Sequence, residues 1–107
     1  MAISWDDFVD AFRIGSATGD IDRMASMITE DFDWTTSGMD RDATLSWTSN
    51  TAFRINGDAE TFYENDEVIA GTHPVLEDEG KQHTVMGVAR LRDGKVYSYD
   101  HMLKLTD

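Results

Sequence analysis

Trp5, Phe8, Val9 and Phe12 stand at spacings of three, four and seven, and Asp6, Asp7, Asp10 and Arg13 take the positions between them. That is the 3.6-residue period of a helix with one apolar face. Ser4 precedes it as an N-cap, the acids of the first turn suit the helix dipole, and Gly19 can end it in the left-handed conformation. Asp20 can cap a second helix with apolar positions Ile21, Met24, Ala25 and Ile28. From Phe32 to Thr36 the period changes to two with aromatic and β-branched residues, which predicts a short strand broken by Ser37-Gly38. Asp40-Arg41-Asp42 then opens a third, shorter helix that runs through Trp47 and ends near Asn50.

From about Ala59 the runs are Thr-Phe-Tyr, Val-Ile-Ala, His-Thr-Val-Met-Gly-Val-Ala and Val-Tyr-Ser-Tyr. Between them fall Asn65-Asp66, Asp78-Glu79-Gly80-Lys81 and Asp93-Gly94, so the pattern predicts an antiparallel meander. The one proline, Pro74, points to a bulge or an edge. Helices followed by a curved sheet make an α+β domain, and the length allows one domain spanning residues 1 to 107.

Composition narrows the chemistry. Twenty-one acidic against nine basic residues give a net charge of −12, and the basic ones never cluster, which excludes nucleic acid and an anionic membrane surface as partners. There is no cysteine, so disulfides and thiolate chemistry are absent. Neither a metal nor another cofactor is expected, because His73, His101 and the carboxylates lack the close spacing of a ligand motif. The N-terminus lacks the basic and then apolar runs of a signal peptide, and no apolar run approaches a membrane span, which leads to the expectation of a cytoplasmic protein. A thin core that also holds a pocket is commonly supplemented by dimerisation, here expected through the sheet.

The order of elements resembles the ketosteroid isomerase and SnoaL-like branch of the NTF2-like superfamily. Phe12, Gly19-Asp20-Ile21-Asp22, Met24 to Ile28, Glu30-Asp31-Phe32-Asp33-Trp34 and Asp93-Gly94-Lys95-Val96 carry the resemblance, which covers the whole chain. It implies a cone, with N-terminal helices packed on a strongly curved antiparallel sheet around a pocket, often in a homodimer. Its known chemistries transfer incompletely. The isomerases' oxyanion tyrosine falls at Phe12 and their base at Thr36, neither of which can play that part. The epoxide hydrolases' aspartate falls at His101, and their Arg-x-Asp pair is missing from the preceding strands.

Strand register distributes the remaining candidates. A two-residue turn at Asp93-Gly94 pairs Arg92 with Lys95, which groups Thr84, Met86, Val88 and Arg90 with Tyr97, Tyr99, His101 and Leu103. The resemblance makes this the pocket face, so Asp100 and His83 are expected to point outward. A four-residue connection over residues 78 to 81 brings His73 beside Met86 on the same face, and counting through Asn65-Asp66 turns Phe62, Glu60 and Asp58 inward, where either acid can orient a histidine. The candidate catalytic residues are therefore His101, His73 and Tyr99, with Phe12, Trp34, Trp47, Phe62, Met86, Val88, Tyr97 and Leu103 as ligand contacts. Imidazole titrates near neutrality, which suits it to proton transfer. Two functions remain open: a cofactor-independent cyclase, isomerase or dehydratase acting on a small apolar carbonyl or hydroxyl compound, or a non-catalytic module for ligand binding or dimerisation.

Overall fold

The structure, a computed structural model, describes residues 3 to 105. Helix α1 covers Trp5–Thr18 and carries a capping box: Asp7 N–H donates to Ser4 Oγ at 3.0 Å, and Ser4 N–H donates to Asp7 Oδ2 at 3.2 Å. Gly19 closes it at φ 81°. The face formed by Trp5, Phe8, Val9 and Phe12 is buried, as its spacing requires.

Helix α2 is only Asp22–Met27, because Ile28 does not extend it. Ile28 instead opens strand β1, Ile28–Trp34, where it pairs with Val96 and stays buried in extended rather than helical geometry. A two-residue strand β2, Met39–Asp40, returns against the end of β1. Helix α3 is Arg41–Asn50, with Asp40 accepting from Ala43 N–H at 2.9 Å as its N-cap. The rest is sheet: β3 (Glu60–Glu64), β4 (Val68–Leu76), β5 (Gln82–Arg92) and β6 (Lys95–Leu105).

Six strands lie in the order β2-β1-β6-β5-β4-β3. The sheet is antiparallel throughout except where β1 runs parallel to β6, a departure from the fully antiparallel expectation. No hairpin joins those two strands, so nothing local imposes antiparallel pairing on them. One face of the sheet packs on the helices, and Trp5, Phe8, Phe32, Ile69, Ala89, Val96 and Tyr99 form the centre of that core.

The Asp93-Gly94 turn has both residues at positive φ, 53° and 80°, and pairs Arg92 with Lys95 as expected. Two residues later the register slips. Leu91 pairs with Val96 but Arg90 pairs with Ser98, which leaves Tyr97 as the extra residue of a bulge, its ring under the Arg92 guanidinium at 4.8 Å. The β4–β5 connection is also one residue longer than expected, because Glu77 N–H bonds Lys81 C=O at 3.1 Å inside the turn and the ladder starts at Leu76 and Gln82. Both slips move β5. Its inward residues are Val85, Gly87, Ala89 and Leu91 rather than Thr84, Met86, Val88 and Arg90.

Pro74 sits at no bulge of the β4–β5 ladder, where it pairs with Thr84. The edge reading fits better: β3 pairs with β4 only as far as Thr72, so no β3 carbonyl is left waiting for the N–H that the proline lacks.

Candidate functional site

The apolar side of the sheet and the helices leave a cavity of about 70 Å³ between them. That is several times the space one water needs. Helix α1 contributes Phe12 and Ser16, β1 contributes Trp34, and α3 contributes Trp47. Irregular chain after α3 adds Thr51, Phe53 and Ile55. The sheet closes the remainder with His73 and Val75 from β4, Val85 from β5, and Tyr99, His101 and Leu103 from β6.

Seven of the expected site residues thus meet: Phe12, Trp34, Trp47, His73, Tyr99, His101 and Leu103. Four do not. Met86 and Val88 face the opposite side of β5 because of the register slips, and Met86 is 48% exposed. Tyr97 is taken out of the pocket by the bulge and lies against Arg92. Phe62 sits at a second bulge, between Thr61↔Gly71 and Tyr63↔Ala70, on a strand whose residues are all exposed. Glu60 and Asp58 are exposed as well and bond to neither histidine. His83, expected outward, lies on the inner side of β5, where its Nε2 stands 2.9 Å from Glu77 Oε2 and its ring lies 6.5 Å from that of Phe53.

Asp100 does point outward, where it accepts from Arg90 at 2.9 Å. His101, one residue on, turns in. Trp34 Nε1–H donates to its Nδ1 at 2.8 Å, and Thr36 Oγ1 stands 2.8 Å from the same nitrogen. Thr36 is placed there because β1 runs alongside β6: Thr35 N–H donates to Tyr99 C=O at 3.0 Å, and His101 N–H then donates to Thr36 Oγ1 at 3.0 Å where the ladder ends. His73, across β5, has its Nδ1 3.3 Å from Pro74 C=O. Tyr99 lies over Gly87, where a Cβ would meet the tyrosine oxygen at 2.6 Å, so the ring can only be seated against glycine.

Burial governs the electrostatics. It pushes the His73 imidazole down to about 4, helped by the positive charges of Arg13 and His101 and opposed by the Pro74 carbonyl. His101 is also lowered by burial, with the Asp100 carboxylate opposing, and the Tyr99 phenol is raised by burial. All three are neutral near pH 7. Their Nε2 atoms and the phenol oxygen have no hydrogen-bond partner among the described residues. His101 is half-buried, and His73 and Tyr99 are buried, at 6% and 2% exposed. No group of three or more His, Asp or Glu among the described residues is placed to hold a metal. No helix among them is long and apolar enough to cross a membrane.

Some of the lining had a signal in the sequence. Ser16 is four residues after Phe12 and so shares its helix face, and Val85 follows once the β5 register is corrected. Phe53 and Ile55 lie in a segment with neither helical nor strand period, and nothing in it announces them.

No protein-family model matches the chain, and no curated protein is similar to it. Solved structures are. An NTF2-like protein of unknown function from Cytophaga hutchinsonii superposes with a TM-score of 0.72 at 15% identity, over 97% of this chain and 93% of the other. The chain has the NTF2-like fold. Two further NTF2-like neighbours have names that speak of chemistry. An M. tuberculosis LEH-like epoxide hydrolase matches with a TM-score of 0.64 at 14% identity, over 92% of this chain and 81% of its own. IdmH from Streptomyces antibioticus, a protein proposed to be a polyketide cyclase, matches at 0.65 and 13%, over 92% and 90%. At these identities the likeness is one of fold, and the chemistry has to come from the NTF2-like cavity of this chain.

Proposed function

We propose that this chain binds a small, uncharged, mostly apolar molecule bearing a carbonyl or hydroxyl oxygen and moves a proton on it without a cofactor, as an isomerase, cyclase or dehydratase does. One observation carries the reading: three neutral, unpartnered polar groups, on His73, His101 and Tyr99, line a cavity that is otherwise aromatic and aliphatic. The apolar walls of Phe12, Trp34, Trp47 and Leu103 disfavour a charged ligand, which would lose its hydration there without a counter-charge. His101 and Tyr99 hold the substrate oxygen. His73 Nε2 takes a proton from the adjacent carbon, the C–H electron pair moves into the carbonyl, and the enolate oxygen is stabilised by the two donors. Where the substrate carries a β,γ C=C bond, returning the proton to the γ-carbon moves that double bond into conjugation and completes an isomerisation.

A second reading, a non-catalytic ligand-binding module, is favoured by a different observation. No carboxylate among the described residues bonds to either cavity histidine, and an imidazole titrating at about 4 is a weak base. Cyclohexanone in D2O separates the two. Wild-type protein is expected to speed exchange of its α-protons over buffer, with His73→Gln and His101→Gln losing that rate while keeping the circular dichroism of the fold. Binding without exchange assigns the binding module; neither binding nor exchange overturns both readings.

We also propose that the outer sheet face pairs with a second copy. Met86 and Met102 are directly paired on β5 and β6 and are 48% and 71% exposed. Beside them Arg90 pairs with Asp100 and Lys104 adds a further positive charge, which lowers the repulsion between two acidic copies there.

A further inference from the structure

The two cavity histidines meet opposite kinds of hydrogen-bond partner at Nδ1. An indole N–H can only donate, so the Trp34 contact at 2.8 Å requires a bare Nδ1 on His101. The Thr36 hydroxyl oxygen already accepts the backbone N–H of His101 at 3.0 Å, which leaves its own proton free to point at Nδ1, 2.8 Å away. With two donors converging on Nδ1, the single proton of the neutral ring sits on Nε2, facing no protein partner. His73 is the reverse case. Its Nδ1 lies 3.3 Å from the Pro74 carbonyl oxygen, which can only accept, so the proton is on Nδ1 and Nε2 offers a lone pair.

We propose that Trp34 and Thr36 are positioning residues that lock His101 as a hydrogen-bond donor opposite His73 as an acceptor, and that the cavity therefore selects hydroxyketones. The carbonyl oxygen accepts from His101 Nε2–H and the hydroxyl of the same molecule donates to His73 Nε2, whose single lone pair then holds the ligand and takes no proton from carbon until that hydrogen bond is released. A simple ketone leaves His73 unmatched, and a simple alcohol has one oxygen for two histidines whose strands, β4 and β6, lie roughly 10 Å apart across β5, which is how a site with directed polar groups discriminates. The selectivity rests on the pocket function proposed above; the tautomer lock does not.

Long-range proton–nitrogen correlation on uniformly 15N-labelled protein at pH 7 reads both rings without any ligand. The expected result is a bare Nδ1 and protonated Nε2 on His101, with the opposite pattern on His73; His101 protonated at Nδ1 overturns the lock. Trp34→Phe keeps an aromatic wall and removes the N–H, and Thr36→Val keeps the shape and removes the hydroxyl. Each is expected to move the His101 nitrogens toward averaged values of mixed tautomers. Unchanged shifts in both variants overturn their positioning role. For selectivity, 4-hydroxycyclohexanone is expected to bind wild-type protein about fivefold tighter than cyclohexanone or cyclohexanol, the worth of one further net hydrogen bond. Equal affinity for the three overturns the selectivity and leaves the pocket function standing. Failure of all three to bind, with the tautomers as expected, overturns the pocket function and the selectivity together but not the lock.

Discussion

His73 is 6% exposed and meets no carboxylate among the described residues; Trp5 lies 6.3 Å from it ring to ring, and the charges that reach it, from Arg13 and from His101 once protonated, are both positive. Its imidazole titrates near 6.5 when exposed and at about 4 in the fold. Below 6.5 the unfolded chain therefore binds a proton that the folded chain refuses until about 4. Its contribution is complete above 6.5, is lost as pH falls through that window, and changes no further below it. The full step is about 3 kcal/mol. His73→Leu is expected to flatten the fall in urea midpoint between pH 7 and pH 5 relative to wild type, and parallel falls would refute the assignment. Gly87 offers a second residue-scale prediction. A methyl there meets the Tyr99 ring at 2.7 Å and Trp5 at 2.8 Å, both deep in the core, so neither can yield freely. Gly87→Ala is expected to cost about 1–3 kcal/mol of stability in chemical denaturation, the range for overpacking a close-packed site.

Elements differ in how plainly the chain declares them. Helix α1 is declared twice, by the period of its apolar face and by the Ser4 and Gly19 caps, and both ends fall where those signals place them. Ser4→Ala removes one half of the capping box and is expected to lower stability by about 1 kcal/mol, measured by the same denaturation. The sheet is less legible for a physical reason: period two makes every register one slip from its inverse, and a bulge needs no distinctive residue. Tyr97 looks like any strand tyrosine, yet its insertion turns β5 over, so that Met86 and Val88 face away from the pocket and Val85 and Gly87 face into it. Of the register Tyr97, Tyr99, His101 and Leu103 that the resemblance turns inward, the last three line the cavity and the bulge takes Tyr97 out of it. Which partner would hold His101 was not legible at all. Trp34 and Thr36 are 67 and 65 residues away in the chain, and only the parallel pairing of β1 with β6 brings them to it.

At the scale of the molecule, charge and shape pull against each other. With a net charge of −12 on 107 residues, the chain repels itself, and most of its ion pairs are exposed and contribute little. A small core partly given over to a cavity leaves little margin against that repulsion. Covering Met86, Met102 and the neighbouring Val88 with a second copy would bury apolar surface beside the Arg90–Asp100 pair. Because the remaining surface of each copy is acidic, association is opposed by long-range repulsion that salt screens within about 10 Å at 0.1 M. Sedimentation equilibrium is therefore expected to show a dimer that tightens as NaCl rises from about 10 to 150 mM, the reverse of an interface held by opposite charges. The double substitution Met86→Glu and Met102→Glu should leave a folded monomer at all salt concentrations. A wild-type monomer at 150 mM NaCl, or a dimer indifferent to the double substitution, would remove the outer face of the sheet from the proposed interface.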